Sequence, residues 1–238
     1  MQRITLAESA GFCFGVNRAV KLLEELVKKN KSVFTLGPII HNPQVVKHFE
    51  NKGVRIIDSP DECKEGDLIV VRTHGIPKDM MEKVKSISPN YCNATCPFVT
   101  KIHKIVSENS LKENVTLIAG DKSHPEVIGI RSYCNGRSFV FNSEKELDKI
   151  IENHPDLSKN GLILVSQTTF STKIFEKCVK KIKMVYTNAV IFDTICCATD
   201  KRQREAQALA KQTDMMIVVG GYHSSNTVKL REVCEQFG

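Results

Sequence analysis

Three stretches decide the fold: Cys13-Phe-Gly-Val-Asn-Arg-Ala-Val20, Cys96-Pro-Phe-Val-Thr-Lys-Ile-His103 and Cys196-Cys-Ala-Thr-Asp-Lys-Arg-Gln203. Each opens a helix-like segment. Val16, Val20, Leu23 and Val27 recur at helical spacing in the first, and Val99, Ile102, Ile105 and Val106 in the second; the third is an Ala/Gln/Lys-rich run to Lys211. A short apolar run then ends in Gly37, Gly120 or Gly220, each 24 residues after its cysteine, and four residues further stand His41, His124 and Ser224. Two offsets kept three times mark an internal repeat.

An apolar run, a glycine turn, a polar tip and another helical stretch make the grammar of a parallel α/β unit, whose ligands bind beyond the carboxyl ends of the strands. A second strand-like run ends at Arg72-Thr-His74-Gly in the first unit and at Ser166-Gln-Thr168-Thr in the second. The expected fold is therefore α/β: a trefoil of three small α/β domains with parallel sheets around a pseudo-threefold axis. Their expected bounds are 14–96, 97–193, and 194–238 with 1–13. The counterparts of His74 and Thr168 lie 37 and 48 residues beyond Gly37 and Gly120, so a third counterpart would fall past Gly238. The third domain is expected to be incomplete and the sequence truncated at its C-terminus.

Composition narrows the function. Nine cysteines, an odd number, with no apolar leader in Met1-Gln-Arg-Ile-Thr-Leu-Ala-Glu8, point to metal or redox work in a reducing cytoplasm rather than to disulfides. The longest apolar run, around Met215–Val219, is too short to span a bilayer, so no membrane is expected. A charge of +7 suits an anionic ligand, yet the cations are dispersed and four Tyr with no Trp offer little base stacking, which argues against nucleic acid.

The repeat cysteines, at or just before helix N-termini, sit where the dipole and free amides favour thiolates. Cys13, Cys96 and Cys196 related by threefold symmetry would hold a cubane iron–sulfur cluster and leave one iron open. Cys63, Cys134, Cys178 and Cys234 read as small hydrophobes. Cys92 and Cys197 have no cysteine at their repeat equivalents, which argues against both as ligands. His41, His74 and His124, with Thr168, Ser224, Ser225 and Asn226, form a set rich in His⁺, hydroxyl and amide donors suited to a diphosphate. Glu126 breaks the repeat, since Pro43 and Asn226 stand in its place; an acid among cationic groups beside a cluster can relay protons, and the other reading is a surface carboxylate at a helix start.

With Gly11-Phe-Cys13-Phe-Gly-Val, Gly37-Pro-Ile-Ile-His41-Asn-Pro, Asn93-Ala-Thr-Cys96-Pro, His124-Pro-Glu126-Val and Asp193-Thr-Ile-Cys196 added in order, the sequence closely resembles the LytB/IspH family of 4-hydroxy-3-methylbut-2-enyl diphosphate reductases. The resemblance implies a [4Fe–4S] cluster on Cys13, Cys96 and Cys196. It implies diphosphate contacts from His41, His74, His124, Ser224, Ser225 and Asn226, and hydroxyl and proton service by Thr168 and Glu126. The implied reaction is the last step of the non-mevalonate isoprenoid pathway, fed by an external electron donor such as ferredoxin or flavodoxin. Two readings stand beside it: a threefold iron–sulfur lyase resembling quinolinate synthase, whose substrates are carboxylates, and a zinc- or cluster-binding module without turnover.

Overall fold

The computed structural model describes residues 4–29, 32–110, 114–159 and 161–237. Residues 1–3 and 238 of the expected third domain lie outside the described residues. In chain order the first part contains α1 (Phe14–Lys29), β1 (Val33–Leu36), α2 (Pro43–Glu50), β2 (Arg55–Ile57), β3 (Leu68–Val71), α3 (Lys78–Ile87) and β4 (Cys92–Asn93). The second contains α4 (Pro97–Asn109), β5 (Val115–Ala119), α5 (Pro125–Ser132), β6 (Arg137–Phe141), α6 (Glu144–Asn153), β7 (Leu162–Ser166), α7 (Thr172–Val185) and β8 (Ala189–Ile191). Helices α8 (Cys197–Ala210) and α9 (Ser225–Glu235) follow and pack against each other.

The repeat survives as topology. Two four-stranded sheets run β2-β1-β3-β4 and β6-β5-β7-β8, the same order twice, and every pair is parallel. Thr35 lies beside Val70 in one sheet and Leu117 beside Leu164 in the other. Strands buried on both faces read as continuous apolar runs. Phe34, Leu36, Ile69 and Val71 pack with Val84 of α3, while Val33 and Val70 face Ala19 and Leu23 of α1 and Phe49 of α2. In the second sheet Leu117 and Leu164 pack with Leu147 of α6 and Ile182 of α7, and Ile118 and Val165 with Ile102 of α4 and Ile130 of α5.

Each sheet places its first and third strands side by side with their crossovers running opposite ways, so the loops that leave them part and open a crevice at their carboxyl ends. The loops after β1 and β3 carry His41 and His74; those after β5 and β7 carry His124 and Thr168. Gly37 makes the first turn at φ 70, and a Cβ there would stand 2.2 Å from Arg72 Nη1. Only glycine meets both conditions.

The third repeat departs from its sequence pattern. The run around Met215–Val219 has the apolar character of β1 and β5, but it forms no strand among the described residues, and Met215, Ile217 and Val219 are exposed. A strand needs a neighbour to take its backbone hydrogen bonds, and none lies beside this segment among the described residues. The third part is thus a helical pair without a sheet among the described residues.

Candidate functional site

Cys96 and Cys196 are built alike. Asn93 Oδ1 accepts from Thr95 N at 3.0 Å, and Asp193 Oδ1 accepts from Ile195 N at 3.2 Å, turning the backbone just before each cysteine. Cys96 N then donates to Thr73 O at 2.9 Å and Cys196 N to Thr168 O at 3.0 Å. Each cysteine is the N-cap of the next helix; neither sulfur makes a capping hydrogen bond, but the nearby first-turn amides of Phe98 and Val99, or of Ala198 and Thr199, favour the thiolate. Burial outweighs those amides: the Cys96 thiol is raised from its usual range and Cys196 is pushed up to about 11. Helix placement alone therefore does not ionise these two thiols, contrary to the expectation from sequence.

Cys13 immediately precedes α1, and Asn17 N donates to its carbonyl at 2.9 Å. Two residues on, Gly15 lies against the second cysteine, since a Cβ there would stand 2.6 Å from Cys96 Sγ. One cavity of about 300 Å³ is lined by all three cysteines together with His41, His74, His124, Glu126, Thr168, Ser224, Ser225 and Asn226. Every site residue expected from the sequence borders it. Cys92 and Cys197 do not line it.

The three histidines gather at one end. Ring centroids lie 4.3 Å apart for His41 and His74, 5.7 Å for His41 and His124, and 5.5 Å for His74 and His124. His124 caps α5, its Nδ1 accepting from Glu126 N at 3.2 Å; Asn42 caps α2 and Ser224 caps α9. Three helix N-termini thus meet here, each favouring negative charge. Burial keeps the rings neutral: His41 is lowered, His74 lies well below the usual range, and His124 falls to about 4, with neighbouring cations including Arg72 adding to the effect. The protonated histidines expected from the sequence are, in the free protein, neutral imidazoles.

One ring nitrogen from each of the three histidines lies within 4.8 Å of the other two, near enough to share a metal ion. In the free protein Nδ1 of His124 accepts an amide hydrogen, which places the proton of its neutral ring on Nε2, a donor facing an anionic ligand. His41 Nε2 and His74 Nδ1 are buried without a hydrogen-bond partner, a state that a ligand rich in acceptors would relieve.

Glu126 is buried, its Oε1 accepting from Thr168 N at 2.6 Å and Oε2 from Thr168 Oγ1 at 2.8 Å. Burial raises its pKa to about 7, against the pull of both Thr168 bonds. Three further residues escaped the sequence reading. Gln167 Nε2 donates to Thr169 Oγ1 at 3.0 Å and to Ser225 Oγ at 3.3 Å, and Thr169 Oγ1 donates to Ser225 Oγ at 2.8 Å, joining the β7 loop to the start of α9. Arg72, beside Gly37, places a permanent charge behind the histidines. Gln167, Thr169 and Arg72 all stand inside the quoted motifs, which was the available signal.

The chain is similar to known proteins in sequence and in fold. The family model described as LytB protein matches residues 4–238. A 4-hydroxy-3-methylbut-2-enyl diphosphate reductase of Caldanaerobacter subterraneus is 45% identical over 237 residues, covering 98% of this chain and 80% of that protein. One from Clostridioides difficile is 41% identical over 233 residues, covering 98% and 82%. A solved structure of (E)-4-hydroxy-3-methyl-but-2-enyl diphosphate reductase, described as the terminal enzyme of the non-mevalonate pathway, superposes with a TM-score of 0.73 at 38% identity over 99% of this chain and 83% of its own. The Plasmodium falciparum reductase gives a TM-score of 0.87 at 31% identity, over 95% and 71%. Among the described residues no helix is long and apolar enough to cross a membrane. With the repeat, the two like sheets and the cysteine-lined cavity in agreement with a match across residues 4–238, the protein belongs to the LytB protein family.

Proposed function

We propose that this protein is a 4-hydroxy-3-methylbut-2-enyl diphosphate reductase. It takes two electrons and two protons to replace the allylic hydroxyl by hydrogen, releasing water and giving isopentenyl or dimethylallyl diphosphate. The observation that carries this reading is a single cavity with three cysteines, three neutral histidines and a buried acid of raised pKa on its wall. Turnover of the diphosphate substrate by anaerobically purified protein, with a chemical reductant, tests it. Purified protein with a full iron and sulfide complement and no turnover would reject it. In the same reading the domains divide at 14–96, 97–193, and 194–238 with 1–13. The protein works in the cytoplasm, and its electrons come from a carrier such as ferredoxin or flavodoxin.

The cysteines fit a [4Fe–4S] cluster. Cys13, Cys96 and Cys196 share one cavity, amides on Cys96 and Cys196 favour thiolates once a metal competes for their protons, and only a residue without Cβ fits at position 15. Bound by these three residues, such a cluster supplies electrons and one iron free to act as a Lewis acid. Gly15→Ala should displace the Cys96 sulfur and lower iron and sulfide per protein severalfold, measured beside an unchanged circular dichroism spectrum.

The remaining residues bind the substrate and move protons. His41, His74 and His124 donate from ring N–H groups to the diphosphate oxygens. Ser224, Ser225 and Asn226 do so from the start of α9, and the charge of Arg72 stands behind. Thr168 orients the substrate hydroxyl while holding Glu126, and Glu126, protonated up to about pH 7, donates the proton. The sign of the pH dependence follows: turnover should fall as pH rises through the Glu126 pKa. Thr168→Val removes a hydrogen bond that favours the carboxylate, so the falling limb should move to higher pH in a rate profile, against a lower overall rate.

A further inference from the structure

We propose that Arg18 and Arg202 are positioning residues that fix the mutual spacing of the three cysteines, each from the helix of one cysteine holding the loop before another. Arg18 lies on α1, which begins after Cys13. Its Nη1 donates to Thr95 O at 3.1 Å and its Nη2 to Asn93 O at 3.3 Å, the carbonyls of the turn that leads into Cys96. Arg202 lies on α8, which begins after Cys196. Its Nε donates to Ser9 O at 3.0 Å and its Nη2 to Gly11 O at 2.6 Å, in the loop that leads into Cys13. Glu205, one turn further along α8, accepts from the amides of that same loop, Glu8 N at 2.6 Å and Ser9 N at 2.9 Å, and from Ser9 Oγ. The Cys196 helix thus grips both the carbonyls and the amides ahead of Cys13.

The joints form an open ring. From Cys196 to Cys13 the tie is Arg202 with Glu205, and from Cys13 to Cys96 it is Arg18. The loop before Cys196 is held by its own neighbours instead: Thr194 Oγ1 accepts from Ser166 N at 2.7 Å and donates to Ser166 O at 2.8 Å. A guanidinium suits this work because its fixed fork spans two carbonyls of one turn, which a lysine ammonium cannot do with the same geometry. Arg18 stands five residues after its cysteine and Arg202 six, so the two are not repeat equivalents. The value of the spacing rests on the cluster reading above; the clamps themselves do not.

Two measurements test the proposal. In the cluster-loaded protein, Arg18→Met and Arg202→Met should each release iron to a chelator about tenfold faster, as expected from losing charge-assisted hydrogen bonds. Arg18→Lys and Arg202→Lys should recover part of the loss. Arg204→Met should match the parent, because Arg204 pairs with Asp200 on its own helix and does not bond to the loop. In the cluster-free protein bearing Cys197→Ser, a trivalent arsenical that needs two neighbouring thiols should bind about tenfold more weakly in each Met variant, measured under conditions where circular dichroism shows every variant fully folded. Parent-like iron release and arsenical binding in the Met variants would overturn the proposal, as would Arg204→Met behaving like Arg202→Met. A parent protein without iron or sulfide would reject the cluster reading alone, leaving the arsenical measurement to decide the clamps.

Discussion

Serine in place of Cys13, Cys96 or Cys196 will strip the protein of iron and sulfide and reduce diphosphate turnover to background, while Cys92→Ser and Cys197→Ser will keep both. The three cysteines line one cavity, and a hydroxyl, which loses its proton far less readily than a thiol, is a poor ligand for a soft metal cluster. Cys92, four residues before Cys96, lies in β4 against the α1–α2 core, and Cys197 is exposed as the first residue of α8. Iron and sulfide analysis of all five anaerobically purified variants checks the result. Full cluster content in Cys13→Ser, or its loss in Cys92→Ser, would redraw the ligand set.

Glu126→Gln will slow turnover by roughly 10²–10⁴-fold, the range for a lost general acid, while cluster content and substrate affinity stay near those of the parent. Glutamine keeps the shape and one acceptor for Thr168 but cannot give up a proton. The parent carboxyl is buried with no cation among the groups that shift it, so desolvation holds its proton near neutral pH. The falling limb of the pH profile should vanish with the residue that titrates. Single-turnover kinetics separate this chemical effect from binding, and a near-parental rate would remove Glu126 from proton transfer.

The repeat located much of the architecture because a parallel unit repeats both its turn chemistry and its loop lengths. Gly37 and Gly120, with polar tips at His41 and His124, were enough to place loops from both sheets at one crevice. Other features need distances. Arg18 and Arg202 act on backbone carbonyls, which every residue possesses, so no residue pattern records their partners. Gln167 and Thr169 matter only because Ser225 lies beside them, more than fifty residues away in sequence. The apolar run around Met215–Val219 shows the opposite limit, since periodicity describes a segment but not whether a neighbour exists to pair with it. The charge of the histidines was also hidden, because it depends on burial and on one another.

If diphosphate binds among these rings as proposed, that neutrality would make its binding a proton-uptake reaction. An empty pocket with three imidazoles of depressed pKa holds few protons near neutral pH; a ligand carrying several negative charges raises those pKa values and draws protons from solvent. The calorimetric heat of binding inorganic diphosphate should therefore change with the ionisation enthalpy of the buffer, and affinity should rise as pH falls toward the bound-state pKa values of the rings. The product, which carries the same diphosphate, would leave more readily in alkaline solution. Exchange of ligand at this site is thereby coupled to solution acidity even where no proton takes part in the chemistry.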